Sequence, residues 1–300
     1  MFSCFVFNLV QLGKEIRRHR VIKMEIEELH KVELDLIQEI IEICQKNQIK
    51  YFMIGGSLLG AVRHQGFIPW DDDVDIGMVR EDYDRFLQVA PAELSQPYYF
   101  LQTDQSDQNY AFGYAKLLDK SIYIEEKRNI NDARKGVFVD IFPFDKIPTG
   151  DVERSIQQSR YKYLNAKIIL ASNYRLIDTE ITAKIRKLQP DQSRKTREYK
   201  EKRDELARTY NQDETIQEYK NLASQYSYEK ELLSEKELAT VVEVPFENLT
   251  VTILSAYDAI LSRLYGDYLQ LPPEDKQIEK HIEKVTILDR KEFTFDNRIN

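Results

Sequence analysis

Four aspartates fall within five positions of the segment GFIPWDDDVDIGM, at Asp71, Asp72, Asp73 and Asp75. From Asp73 onward charged and apolar residues alternate, which predicts a strand with Asp73 and Asp75 on one face, about 7 Å apart along the chain. Carboxylates so placed repel one another unless a cation sits between them. Magnesium and manganese suit such hard oxygen ligands and keep positions open for phosphate oxygens. Asp71, Asp73 and Asp75 also match the first three ligand positions of an EF-hand loop. The sixth position of that loop should be Gly and is Ile76, and the twelfth should be Glu and is Asp82. That reading is rejected. A solvated turn would also gather aspartates, but the apolar flanks FIPW and VDIGM argue for a half-buried setting.

Gly55-Gly56-Ser57 follows the β-rich run YFMI and opens a helical stretch. Glycines there let a phosphate approach the backbone, and the free N–H groups of a helix start attract anions. A strand-to-helix Gly-Gly is common; one followed within about twenty residues by paired aspartates is more specific, and describes a phosphoryl-transfer site. GVFVDIFPFD supplies a third carboxylate, Asp140. An aspartate inside an apolar strand is costly without a partner, and Asp73, Asp75 and their metal would provide one. Asp145 competes for this role, but its place beyond Pro143 suggests a turn.

These residues need elements to hold them. From Glu25 to Asn47 apolar residues recur at Leu29, Val32, Leu36, Ile40 and Ile43, a helical spacing. YFMI reads as a strand, SLLGAVRHQG as a helix with Ser57 near its start and Gly66 as its stop, and REDYDRFLQVA as a helix ended by Pro91. YYFLQT, YAKLLD, SIYIEE and GVFVDIFPFD read as strands. From Asp151 to about Glu237 the chain reads as helical and charged, with a break around Gln189-Pro190-Asp191. Residues 151 to 210 carry 15 Lys and Arg against 9 Asp and Glu, a basic stretch in an acidic protein. Further on, TVVEVPFENLTV suggests a strand and turn, and ILSAYDAILSRLYG a helix. The order predicts an α+β fold with an appended helical portion.

Composition agrees with a folded enzyme-sized chain. Its 300 residues are 42% hydrophobic and 31% charged, with net charge −8. That balance argues against nucleic acid as a bulk ligand, which needs a basic footprint. Two cysteines, Cys4 and Cys44, make no disulfide framework and suit a reducing compartment, the cytoplasm. The opening MFSCFVFNLV is too short to span a membrane, and its basic residues follow rather than precede it, the wrong order for a secretory signal. A weak surface anchor is one reading; the plainer one starts the folded chain at Met24, with residues 1–23 an unstructured extension.

GGSLLGAVRHQGFIPWDDDVDIGM, with REDYDRF and then FVDIFPFDKIP, closely resembles the LicD family, which is similar to nucleotidyltransferases of the DNA polymerase beta superfamily and includes relatives of fukutin. The resemblance spans about Glu28 to Pro148 and returns in VEVPFENLTV and YGDYLQLPPED; residues 151 to 235 carry no motif of it. It implies a nucleotidyltransferase-like catalytic core over 24–150, a charged helical region over 151–240, and a closing segment, 241–300, packed on the core. The superfamily pattern of Gly-Gly/Ser, Asp-hydrophobic-Asp and a later carboxylate falls on Gly56-Ser57, Asp73-Val74-Asp75 and Asp140.

The implied activity is transfer of a phosphorylated alcohol, first of all phosphocholine from CDP-choline, to a hydroxyl of a surface glycan such as lipopolysaccharide, capsule or a teichoic-acid precursor, with release of CMP. Relatives using CDP-ribitol or CDP-glycerol widen the donor class to CDP-activated alcohols. On this reading Asp73, Asp75 and Asp140 hold Mg2+ or Mn2+, and Asp140 takes the hydroxyl proton. Gly55, Gly56 and Ser57 cradle phosphate oxygens, and Arg63 and Lys116 offset phosphate charge. Arg63 as a surface ion pair and Lys116 as a solvated strand lysine are the plain alternatives. Asp71 and Asp72 would tune the metal from outside its ligand set. His64 is a candidate for the acceptor proton and Trp70 for choline stacking, against ordinary packing for both. The basic helical segment, with YKYLNAKIIL, would serve a lipid-linked acceptor or a peripheral contact with the inner face of the membrane. A nucleotidyltransferase releasing pyrophosphate uses the same carboxylates and stays open. A glycosyltransferase fits the Gly-Gly-Ser helix start less well, and a non-catalytic binding protein would be expected to lack a carboxylate.

Overall fold

A computed structural model of the chain describes residues 20–22, 24–126, 131–172, 193–226, 228–277 and 282–294. The 1–23 extension and the break at Gln189-Pro190-Asp191 fall largely or wholly outside them. The elements in chain order are β1 (Arg20–Ile22), α1 (Ile26–Asn47), β2 (Phe52–Met53), α2 (Gly55–Arg63), β3 (Asp75–Val79), α3 (Arg80–Glu93), β4 (Tyr99–Gln102), β5 (Ala115–Asp119), β6 (Ile122–Glu126) and β7 (Val137–Lys146). They continue with α4 (Asp151–Ala171), α5 (Ser193–Arg208), β8 (Glu218–Lys220), β9 (Leu232–Ser234), α6 (Glu235–Leu238), β10 (Val241–Phe246), β11 (Leu249–Leu254), α7 (Tyr257–Tyr265) and β12 (Ile282–Ile287).

The fold is mixed α+β. Its main sheet has seven strands, with a path β2-β3-β7-β5-β4; β8 joins the edge of β7 and β9 joins β8. β3 and β7 run parallel, and the other pairings are antiparallel. Parallel neighbours need a crossover, and the chain between β3 and β7 supplies it with α3, β4, β5 and β6. β10 and β11 form a separate hairpin, and β1-β12-β6 a second small sheet. The core is the apolar stripe of α1, including Leu36, Ile37 and Ile40, set with Met53, Ile76, Met78, Leu117, Val139 and Ile141 of the central strands. Burying each such side chain contributes about 1.5–3 kcal/mol. No helix among the described residues is long and apolar enough to cross a membrane.

Four expectations change. β3 begins at Asp75, so Asp73 precedes the strand. A turn closed by the Asp71 N–H on Ile68 O, 2.9 Å, occupies the start of the acidic segment. Burial parity nevertheless continues through it, with Asp72 and Val74 buried and Asp73 and Asp75 half-buried. Helix α3 runs through Pro91 to Glu93. Proline in a last turn forfeits one intrahelical bond, and Leu94 closes the helix on Ala90 O at 3.1 Å. Asp145 lies in β7, not in a turn, and is 1% exposed. Asp140 donates its N–H toward β3, so strand alternation turns position 143 to the opposite edge, where pairing with β5 has ended at Ile141. Proline's missing donor costs nothing there. Residues 209–234 hold turns and the strands β8 and β9 instead of continued helix.

Candidate active site

The strand register places the first two carboxylates. Asp75 of β3 pairs directly with Asp140 of β7, and Asp140 donates its N–H to Val74 O at 2.8 Å. The opposite neighbour of Asp140 is Lys116 of β5, whose Nζ lies 3.3 Å from Asp140 Oδ1 and 3.1 Å from the centre of the Phe138 ring. Lys116 and Asp140 are both buried. Sequence reading proposed both residues, and the sheet brings them together.

Helix α2 supplies the next wall. Its N-cap, Ile54, has no side-chain cap, and the first N–H groups of a helix have no partner inside it. Gly55 adopts φ +56°, and a Cβ there would lie 3.2 Å from Asp75 Oδ2. A Cβ on Gly56 would come to 2.6 Å from Asp71 Oδ2. The two glycines thus let the helix start approach both carboxylates. Ser57 is buried, and its Oγ accepts the Asp75 N–H at 2.8 Å, fixing the start of β3 to α2.

The acidic segment adds more. Carboxylate oxygens of Asp71, Asp72 and Asp73 lie within 4.8 Å of one another, close enough for a shared cation. His30 holds the segment from α1, its Nε2 lying 2.8 Å from Asp71 O while its ring stacks on Phe67. Asp71 and Asp72 therefore lie with Asp73 in one group of carboxylates. A carboxylate that sequence reading missed, Glu33 of α1, faces the same place. It is 1% exposed, and among the described residues its Oε2 has no hydrogen-bond partner. The signal was present: Glu33 interrupts the buried stripe Leu29–Leu36–Ile40, where a charge needs a reason.

The electrostatics follow from this crowding. Burial, then Asp73, Asp140 and Asp71, push the Asp75 carboxyl well above its ordinary value. Burial, then Asp73, Asp72, Asp71 and Asp140, do the same to Glu33. Six carboxylates converge here. Their number, the two raised carboxyls and the all-oxygen chemistry fit a hard divalent cation.

Arg63 stands apart from this group. Its Nη1 donates to Tyr268 O at 2.9 Å and its Nε to His64 Nε2 at 3.0 Å, so it ties α2 to the chain after α7. His64 meets Trp70 edge to face at 6.3 Å, and burial and then Arg63 lower its pKa.

Aspartates paired across two parallel strands and facing an uncapped, glycine-started helix make an arrangement suited to phosphate groups on an α+β sheet. The comparisons sharpen this. Residues 48–170 match the family model described as LicD/FKTN/FKRP, nucleotidyltransferase domain. The chain is 28% identical to the lipopolysaccharide cholinephosphotransferase LicD of Haemophilus influenzae over 89% of its own length and 99% of that protein's. It is also 43% identical to the human and mouse ribitol 5-phosphate transferase FKRP over 54 residues, 18% of this chain and 11% of FKRP. Residues 48–170 thus resemble the nucleotidyltransferase domain of the LicD family, and the likeness to LicD and FKRP supports a transferase of phosphorylated groups.

Proposed function

We propose that this protein moves a phosphorylated alcohol from a CDP-activated donor to a hydroxyl of a surface glycan, with phosphocholine from CDP-choline as the first donor to test. The observation that carries the reading is the Asp75–Asp140 register pair set against the uncapped start of α2. The LicD and FKRP names support phosphate-group transfer to glycans as the class.

In this reading Asp73, Asp75 and Asp140 hold Mg2+ or Mn2+, with Asp71 and Asp72 beside them. When bound, the ion neutralises charge on the donor's diphosphate and on the leaving group. Gly55, Gly56 and Ser57 present backbone N–H groups to phosphate oxygens. Lys116 orients Asp140 through their ion pair. Asp140 receives the proton of the acceptor hydroxyl as that oxygen bonds to phosphorus. The bond from phosphorus to the CMP oxygen breaks, and CMP departs with the electron pair. Arg63 serves the site indirectly, by holding the chain after α7 against α2. The setting we propose is cytoplasmic, with the acceptor reached at the inner face of the membrane.

Phosphorus NMR of the purified protein tests this with CDP-choline, CDP-ribitol, CDP-glycerol and nucleoside triphosphates offered separately beside crude surface glycan. CMP release with a new phosphodiester signal names the donor. Pyrophosphate release from a triphosphate would replace the reading with nucleotidyl transfer. Loss of turnover in chelator and its return with Mg2+ or Mn2+ tests the metal.

A further inference from the structure

A cavity of about 440 Å³ lies between the loop of residues 103–114 and helix α5, and reaches Arg80 just past β3. Two cations in its wall are buried, Lys200 at 6% exposure and Arg203 at 1%. Buried cations are costly unless matched, and these two are matched unequally. Arg203 donates to Ala111 O at 2.6 Å and Asn165 Oδ1 at 2.8 Å, and faces Asp104 at 3.5 Å. Lys200 donates to Gln108 O at 2.9 Å, and among the described residues no carboxylate lies within ion-pair distance of it. Burial accordingly lowers its pKa. Arg197, three residues earlier on the same face of α5, is exposed and also lines the cavity. The other arginines of the wall are committed: Arg80 to Asp145 and Arg208 to Asp84, each through two hydrogen bonds.

The opposite wall is different. Phe112 stacks there on Tyr114 at 5.2 Å, Tyr114 also packs on Phe142 at 4.3 Å, and Gln105 and Gln108 line the same cavity. Gly113 between the rings fits tightly, since a Cβ would meet Tyr161 Oη at 2.7 Å and Arg203 Nε at 3.1 Å. Flat rings suit the C–H face of a sugar and amides suit its hydroxyls. Asp104, Glu201 and Asp204 also line the wall, but its five cations outnumber these three carboxylates, and Lys200 with the Arg197 guanidinium one turn away suits a dianion. Tyr114 immediately precedes β5, and two residues further along, about 7 Å, Lys116 reaches Asp140. α5 lies outside the residues that the family model matches.

We propose that this cavity binds a phosphorylated sugar, with Lys200 and Arg197 on the phosphate and Phe112, backed by Tyr114, against the ring. Tyr114 leads into β5, whose Lys116 meets Asp140, and on that link we take the sugar as part of the glycan acceptor; this last point alone rests on the transferase reading.

Calorimetric titration of the full chain in chelator, without donor, tests the site independently of turnover. The probes are glucose 6-phosphate, glucose and inorganic phosphate. Glucose 6-phosphate binds at least tenfold more tightly than either of the others. Lys200→Met and Arg197→Ala each weaken it about tenfold, the loss expected for one hydrogen bond to a charged group, with Arg197→Ala leaving the melting temperature unchanged. In the transfer assay both variants raise the acceptor KM and leave kcat and the donor KM alone. Equal binding of inorganic phosphate, no binding of glucose 6-phosphate, or wild-type binding by folded Arg197→Ala would overturn the proposal. Sugar-phosphate binding without any transfer would leave the site standing and remove the transferase reading.

Discussion

Asp75 and Asp140 share one register position on neighbouring parallel strands, and the N–H of Asp140 is fixed to the carbonyl of Val74 at 2.8 Å. Neither backbone position can leave the other without breaking the β3–β7 ladder. Asp75→Asn and Asp140→Asn keep size and backbone bonding and remove charge. Each is expected to lower turnover about 10²–10⁴-fold, the range for loss of a positioned proton or charge group. Melting temperature in chelator should hold or rise for Asp75→Asn, because repulsion is relieved, and fall for Asp140→Asn, which removes the ion pair of the buried Lys116. Turnover within threefold of wild type for either variant would remove the carboxylate pair from the mechanism.

The glycines that start α2 separate a fold effect from a site effect. Gly55 has φ +56°, so Gly55→Ala is expected to cost about 1–2 kcal/mol in urea unfolding. Gly56 has no such strain, but its Cβ would lie 2.6 Å from Asp71 Oδ2. Gly56→Ala should therefore displace that carboxylate, weakening Mn2+ binding by calorimetry and donor KM more than it weakens the fold. Unchanged Mn2+ affinity in Gly56→Ala would show that Asp71 plays no part at the cation.

Much of the site was legible because alternation and glycine placement are local. The DVDIGM pattern placed Asp75 on β3, and the apolar setting of Asp140 announced a charged partner. Lys116 was a plausible candidate only because β5 could be read; its contact with Asp140 depends on a pairing 24 residues apart, which no local pattern fixes. Arg63 looked equally suited to phosphate, yet the chain after α7 captures its guanidinium, a contact spanning more than 200 residues. Helix was over-read beyond α5 because charge and short apolar runs there resemble helical faces, while β8 and β9 are three residues each and held by the edge of β7. Asp145 was misjudged because Pro143 punctuates most strands, and only the ladder shows which edge it faces.

The Arg80–Asp145 pair anchors the far end of β3 to β7. Arg80 Nε and Nη2 donate to the two Asp145 oxygens at 2.7 Å each, with both side chains buried and Asn211 donating to the same carboxylate. Asp145→Asn leaves the buried guanidinium with only its 3.8 Å contacts to Asp84 and Asp204, a loss of up to about 3–5 kcal/mol. Asp145→Asn with Arg80→Met should recover part of that loss, as removing both charges does elsewhere. Urea unfolding measures both. Equal stability of the single variant and the wild type would mean that the pair does not hold the strands.

Glu33 makes the metal-free protein sensitive to pH in a definite direction. Its folded-state pKa is raised above the ordinary glutamate value of about 4.3 by burial and by the aspartates facing it. A raised carboxyl binds its proton more tightly in the folded chain than in the unfolded one. Its stabilising contribution is therefore complete below the unfolded pKa and is lost as pH rises through the folded pKa. Asp75 is shifted in the same sense. Chelator-treated protein should thus become less stable to urea between about pH 4.3 and neutrality. Glu33→Gln, which has no charge to bury, should flatten that decline and be the more stable protein at pH 7. A pH profile parallel to wild type in Glu33→Gln would place the repulsion elsewhere in the cluster and leave Glu33 a neutral packing residue.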